Sequence, residues 1–320
     1  MQAPFDIAAD LDTPVSAYLK LKELKPRYLL ESVEGGERLA RYSFLGFGDA
    51  LDLRLDEAGL RIGDELHPHP TDRDEYLAAL RHVMRSAPVP RPHVEGLPFS
   101  GGLVGVSGYD VVRLFEKLPH TTTPPAGIPE AAFCATSSAL VFDHLTRRVA
   151  LLHDGSKEER AALRKDVIRL LRGAIPTNSD KVSISSPEAG MTDAEYADRV
   201  EACKEYIASG DIYQIVISVL FKGRSNVSPF EVYRALRLLN PSPYMFFFEF
   251  GDLKVAGSSP EALVRLNGRT ASLRPIAGTL RRGQSREEDL RNERDLLADP
   301  KESAEHVMLV DLARNDLGRV

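Results

Sequence analysis

Glu302 and Glu305 stand three positions apart in Pro300-Lys301-Glu302-Ser303-Ala304-Glu305-His306. On a helix such a pair projects from adjacent turns of one face. At about 100° per residue, Glu302, Glu305, Leu309, Leu312 and Ala313 fall within an arc of about 100°, whereas Ser303, Asp311, Arg314 and Asn315 lie outside it. Two carboxylates on an inward face are costly unless a cation or hydrogen-bond donors meet them. An all-oxygen pair suits Mg2+, which takes one or two carboxylates and leaves its other positions to substrate and water. The same residues also satisfy the preference for acidic side chains in the first turn of a helix, so spacing alone leaves both readings open.

Some twenty residues upstream runs Arg274-Pro275-Ile276-Ala277-Gly278-Thr279. Gly278 permits close approach to its backbone, and Gly278-Thr279 offers N–H groups and a hydroxyl. Glu261, in Ser258-Ser259-Pro260-Glu261, begins a strand after a turn, a position from which a side chain faces either a pocket or solvent. Arg281-Arg282 reads as a solvated loop. Taken together, the turn and the carboxylates suit a small anionic substrate bound through a divalent cation.

The elements that would position these groups can be traced in the pattern. The first half is β-rich, with alternating runs at 42–47, 51–55 and 60–62, a helix over 73–85, a hairpin of 131–142 with 148–152, and a helix over 156–172. The glycines of 100–110 do not form GxGxxG and read as a strand with close backbone approach. A polar, proline-punctuated stretch between Gly173 and Gly190 divides the chain into 1–178 and 190–320. Beyond it, Thr192-Asp193-Ala194-Glu195 is a capping box, and Ser228-Pro229-Phe230-Glu231 is another with proline at the first helical position. Strands are predicted at 212–221, 244–250 and 253–256. Asn267-Gly268 predicts a type I′ hairpin joining 262–266 to 270–276. Helices over 286–298 and 300–314 follow.

Composition narrows the function classes. With 320 residues, 43% apolar content and a formal net charge of −6, the chain has ample material for a core and no basic footprint for nucleic acid. Cys134 and Cys203 lack CxxC spacing and read as reduced thiols of a cytosolic protein. Neither a secretory leader nor an apolar run of about 18 residues is present, which predicts a soluble, cytoplasmic protein.

The series RPIAGTLRRG…PKESAEHVMLVDLARNDLG resembles component I of anthranilate synthase, the large chorismate-using subunit. Leu29-Leu30-Glu31-Ser32, 101–113, Gly210-Asp211-Ile212-Tyr213-Gln214, 240–247 and 258–261 match the same family in order. The resemblance implies an α+β fold of two packed, largely antiparallel sheets with helices outside. It implies a lyase of tryptophan biosynthesis that converts chorismate and ammonia, delivered from glutamine by a partner amidotransferase subunit, to anthranilate and pyruvate. Glu261 matches the general acid that protonates the departing hydroxyl. Gly278, Thr279 and Gln214 match substrate-binding positions, and Glu302 and Glu305 match ligands of Mg2+. Relatives making aminodeoxychorismate carry a nucleophilic Lys where this chain has Ala277, and isochorismate and salicylate synthases carry a water-activating Lys where it has Gln214. Both residues favour ammonia as nucleophile.

Glu31 and Ser32, with Pro243, Tyr244 and Met245, resemble the two walls of a tryptophan pocket that exerts feedback inhibition on the family. Relatives continue for about another hundred residues beyond the segment matched here, with a catalytic His and a second Glu-rich metal segment. The chain is accordingly expected to be C-terminally incomplete and inactive alone, and a tryptophan-binding fragment without catalysis is the alternative from another functional class.

Overall fold

The computed structural model describes residues 4–33, 41–119, 127–176 and 181–319; part of the polar linker between Gly173 and Gly190 falls outside these ranges. In chain order the elements are β1 Ile7–Ala8, α1 Pro14–Lys20, β2 Pro26–Glu31, β3 Tyr42–Asp56, β4 Gly59–Ile62, β5 Glu65–His67, α2 Arg73–Ser86, β6 Val104–Ser107, β7 Ala131–Asp143, β8 Arg148–His153 and α3 Lys157–Leu171. They continue with β9 Glu188–Ala189, α4 Asp193–Ala208, β10 Phe221–Lys222, α5 Pro229–Leu239, β11 Tyr244–Phe250, β12 Leu253–Ser259, β13 Arg265–Asn267, β14 Thr270–Ser272, α6 Arg286–Ala298 and α7 Pro300–Gly318.

The expected antiparallel α+β character is present. Among the described residues the strands form one ten-stranded sheet, with order β1-β8-β7-β3-β2-β11-β12 and β4, β5 and β6 attached beside it, and two short ribbons. The long strand β3 covers what the sequence presents as two strands. Its register against β7 shifts between Phe47 and Ala50, where Gly48 takes a φ of 85°, so the interruption is a bulge within one strand. The division at 178–190 is likewise not a division of the sheet. Strand β11 pairs with β2 through Met245↔Glu31, Phe246↔Leu30, Phe247↔Leu29 and Phe248↔Tyr28.

Alternation along β11 sends Met245 and Phe247 to one face and Phe246, Phe248 and Phe250 to the other. On the second face Phe248 and Phe250 join Tyr28, Phe44, Val141 and Leu152. On the first, Phe247 is 2% exposed and lies between Tyr18 of α1 and Tyr233 of α5, with ring centroids 5.6 and 5.8 Å away. Tyr18 donates to Glu249 Oε2 at 2.7 Å, satisfying its buried hydroxyl.

Compactness divides the chain into 1–176 with 233–320, and 177–232. In the smaller unit α4 carries the predicted capping box, Thr192 Oγ1 accepting from Glu195 N and Glu195 Oε2 accepting from Thr192 N. Phe221 and Lys222 pair with Ala189 and Glu188. Most of the predicted strand at 212–221 is not formed; only Phe221 lies in one. Strand propensity was present there, but a strand also needs a ladder partner. The hairpin after β12 is shorter than predicted and turns one residue later: Asn267 faces Thr270, leaving Gly268-Arg269 at the centre with positive φ at Gly268 alone. That φ pattern belongs to type II′, which needs glycine only at its first central position.

Truncating Phe247 to Ala removes the ring on which α1 and α5 converge, and is expected to cost about 3–5 kcal/mol in denaturant unfolding. A loss below about 1 kcal/mol would contradict this packing role.

Candidate functional site

The loop 275–279 and the start of α7 come together. Asp299 caps α7, its Oδ1 accepting from the backbone N of Lys301 at 2.8 Å and of Glu302 at 3.1 Å, and Pro300 occupies the first turn, where it forfeits no hydrogen bond. Glu302, Glu305, Met308, Leu309, Ala313 and Leu317 are the half-buried side chains of α7, whereas Leu312 is 48% exposed. The inward stripe therefore contains both carboxylates, but leaves out Leu312, which the sequence had placed on it.

Glu302 lies against the backbone of Gly278, so closely that a Cβ there would collide with its carboxyl group. On the same loop Ile276 N donates to Glu261 Oε1 at 2.8 Å. Two carboxylates far apart in the chain thus meet a single short segment, although Glu261 is exposed and lies in the bend between β12 and β13 rather than at the start of a strand, which begins only at Arg265. Gly278 is half-buried and Thr279 exposed. Gln214 belongs to the smaller unit, where it is exposed. Arg282 is solvated as expected, although it pairs with Asp289 at 2.8 Å.

The donor chemistry at α7 fits Mg2+ in part: two half-buried carboxylates one turn apart on one face. Lys301 Nζ is 3.6 Å from Glu302 Oε1 and supplies a positive charge at the rim. Among the described residues no group of three or more His, Cys, Asp and Glu gathers as a metal cage.

A second cluster forms at the end of β2. The pairing of Glu31 with Met245, together with a hydrogen bond from Val33 N to Ser242 O at 3.0 Å, brings Glu31-Ser32 beside Pro243-Tyr244-Met245. Glu31 is 5% exposed and Met245 1%, whereas Tyr244 is exposed. The Tyr233 hydroxyl donates to Glu31 Oε2 at 2.6 Å, and Arg237 Nε lies 3.2 Å from the same oxygen. Burial raises the Glu31 carboxyl above its usual range, with Tyr233 and Arg237 opposing the shift. Burial also raises the Tyr233 hydroxyl, and the Glu31 charge adds to the effect. The sequence reading missed Tyr233 and Arg237; their spacing of four on a helix put them on one face, but nothing local identified Glu31 as their partner.

Residues 25–320 match the family model described as chorismate binding enzyme. Anthranilate synthase component 1 of Pseudomonas aeruginosa is 42% identical over 332 residues, covering 99% of this chain and 67% of the relative. That of Thermus thermophilus is 41% identical over 316 residues, covering 98% and 67%. The chain thus spans about two thirds of the length of these relatives. Among solved structures, anthranilate synthase component I from Streptococcus pneumoniae superposes with a TM-score of 0.73 at 29% identity, covering 100% of this chain and 70% of the other. The menaquinone-specific isochorismate synthase of Escherichia coli, at TM-score 0.53 and 15% identity over 92% of this chain and 58% of the other, shares the fold.

The raised Glu31 carboxyl has a measurable consequence. The folded chain binds that proton at a higher pH than the unfolded chain, whose value is near 4.5, so the group opposes folding at neutral pH and the opposition relaxes as pH falls through the folded value. Thermal unfolding of wild type and Glu31→Gln is expected to show the wild-type midpoint gaining on the variant as pH drops from neutrality towards 4.5. Parallel curves would contradict the shift.

Proposed function

The chain belongs to the family of chorismate-binding enzymes, and we propose that it is the chorismate-converting part of an anthranilate synthase, a lyase that forms anthranilate and pyruvate from chorismate and ammonia. The observation that carries this reading is the meeting of Glu261 and Glu302 on the loop 275–279. A substrate carrying carboxylates needs a cation at one end and a proton donor at the other, and this loop adjoins a candidate for each.

In this reading Gly278 and Thr279 contact the substrate through backbone N–H groups and the hydroxyl. Glu302 and Glu305 hold Mg2+, which when bound fixes and polarises the ring carboxylate as template and Lewis acid. Glu261 protonates the departing C4 hydroxyl as ammonia adds at C2, a general-acid role. Its Oε1 accepts from Ile276 N, which leaves Oε2 to carry the proton. Ala277 supplies no amine for covalent attack on the ring, and Gln214, counted among the substrate-binding positions, supplies no base for activating water. The nucleophile is then ammonia, produced from glutamine by an amidotransferase subunit.

The cluster at the end of β2 supports feedback control by L-tryptophan, with Glu31 and Ser32 on one wall and Pro243, Tyr244 and Met245 on the other. A buried carboxylate beside an apolar wall suits an amino acid with a large side chain. Inhibition then follows from differential affinity for two arrangements of the enzyme. Residues 1–178 carry the regulatory motif and 190–320 the chorismate-binding region. No helix among the described residues is long and apolar enough to cross a membrane, and a cytoplasmic location suits a biosynthetic enzyme of this kind.

Incubation with chorismate, Mg2+ and an ammonium salt tests the chemistry. Any turnover is expected to give anthranilate, read by its fluorescence, and chromatographic detection of isochorismate would contradict the assignment. Calorimetry is expected to show Mg2+-dependent chorismate binding with or without turnover. Its absence would also count against the reading. For the regulatory pocket, Ser32→Phe is expected to weaken tryptophan binding at least about tenfold, or about 1.4 kcal/mol; unchanged affinity would place the inhibitor elsewhere.

A further inference from the structure

We propose that Gly278 is a positioning residue for Glu302: the absence of a side chain at 278 makes the space in which the Glu302 carboxylate lies. The inference rests on the reading of Glu302 as a cation ligand and deepens it. A Cβ built at Gly278 finds Oε2, Cδ and Cγ of Glu302 as its three nearest atoms outside the adjoining chain, and the first two would clash with it. Backbone conformation is not the reason for glycine here, since Gly278 does not take a positive φ. What the position requires is room.

Both sides of that space are held. Ile276, two residues before Gly278, is tied to Glu261 through its backbone N–H, and Arg281, three residues after it, accepts a hydrogen bond from Asn292 Nδ2 of α6 at 2.9 Å. On the facing side, Asp299 binds the backbone N–H of Glu302 itself. The loop and the helix start are therefore fixed independently, and the Glu302 side chain lies between them, half-buried. The three atoms nearest to an alanine methyl at 278 would all belong to this flexible side chain. The least costly response is rotation of Glu302 off the loop, which leaves the fold intact and takes the carboxylate away from Gly278. Substrate contact through the Gly278 N–H would survive such a change, because alanine has the same N–H.

The test is Mn2+ binding followed by electron paramagnetic resonance in wild type, Gly278→Ala, Glu302→Gln and the double variant, with thermal unfolding of each. Gly278→Ala is expected to weaken Mn2+ binding by about 10–100-fold, the range typical of supporting residues around a metal site, with an unfolding midpoint close to wild type. The double variant is expected to bind no more weakly than Glu302→Gln alone, because the glycine acts only through the carboxylate. Retained binding in Gly278→Ala while Glu302→Gln loses it, additive losses in the double variant, or a midpoint drop large enough to explain the lost binding would each overturn the positioning role alone. A wild-type chain that binds no Mn2+ would overturn the cation reading and this inference with it.

Discussion

The pairing of β2 with β11 is the interaction on which the rest depends. It joins residues 26–31 to 244–250 across more than two hundred positions of chain and makes one sheet of two stretches that the sequence separates by a polar linker. Closing so long a loop is entropically unfavourable, and the compensation is visible on both faces of β11: Phe247 under two tyrosines on one side, Phe248 and Phe250 in a large apolar cluster on the other. The same ladder sets Glu31 opposite Met245. The candidate regulatory cluster is thus a by-product of register, and a slip of one residue would send Glu31 to the opposite face.

Burying Glu31 there is costly, and the fold answers with a helix that brings Tyr233 and Arg237 to one of its oxygens. The compensation is incomplete, since burial still raises the carboxyl. A carboxylate held in this condition has a surplus affinity for positive charge.

What was legible in the sequence follows from what is local. The capping box at Thr192 and the helix opening at Pro300 depend on neighbouring residues alone and form where expected, and the strand Tyr244–Phe250 forms where expected because its apolar run finds partners in β2 and β12. The predicted strand at 212–221 depends on a partner, and Asn267-Gly268 could centre its turn on either of two residue pairs, so the pattern misplaced both. The bulge at Gly48 was read as a break because alternation stops there whether the strand ends or only bends. In the candidate site, the inward direction of Glu302 and Glu305 could be derived from helical spacing. The contact of Glu302 with the Gly278 loop could not, since it depends on how two segments separated by α6 fold back on one another.

The central claim is that loop 275–279 and α7 together form a cation-assisted site for chorismate. Crystals of the chain grown with Mn2+ and chorismate, with diffraction data collected at the manganese absorption edge, would test it most directly. The account predicts an anomalous peak within about 2–2.5 Å of a Glu302 or Glu305 carboxylate oxygen, with ligand density between that peak and Glu261. A peak remote from α7, or chorismate density away from the Gly278 loop, would contradict it.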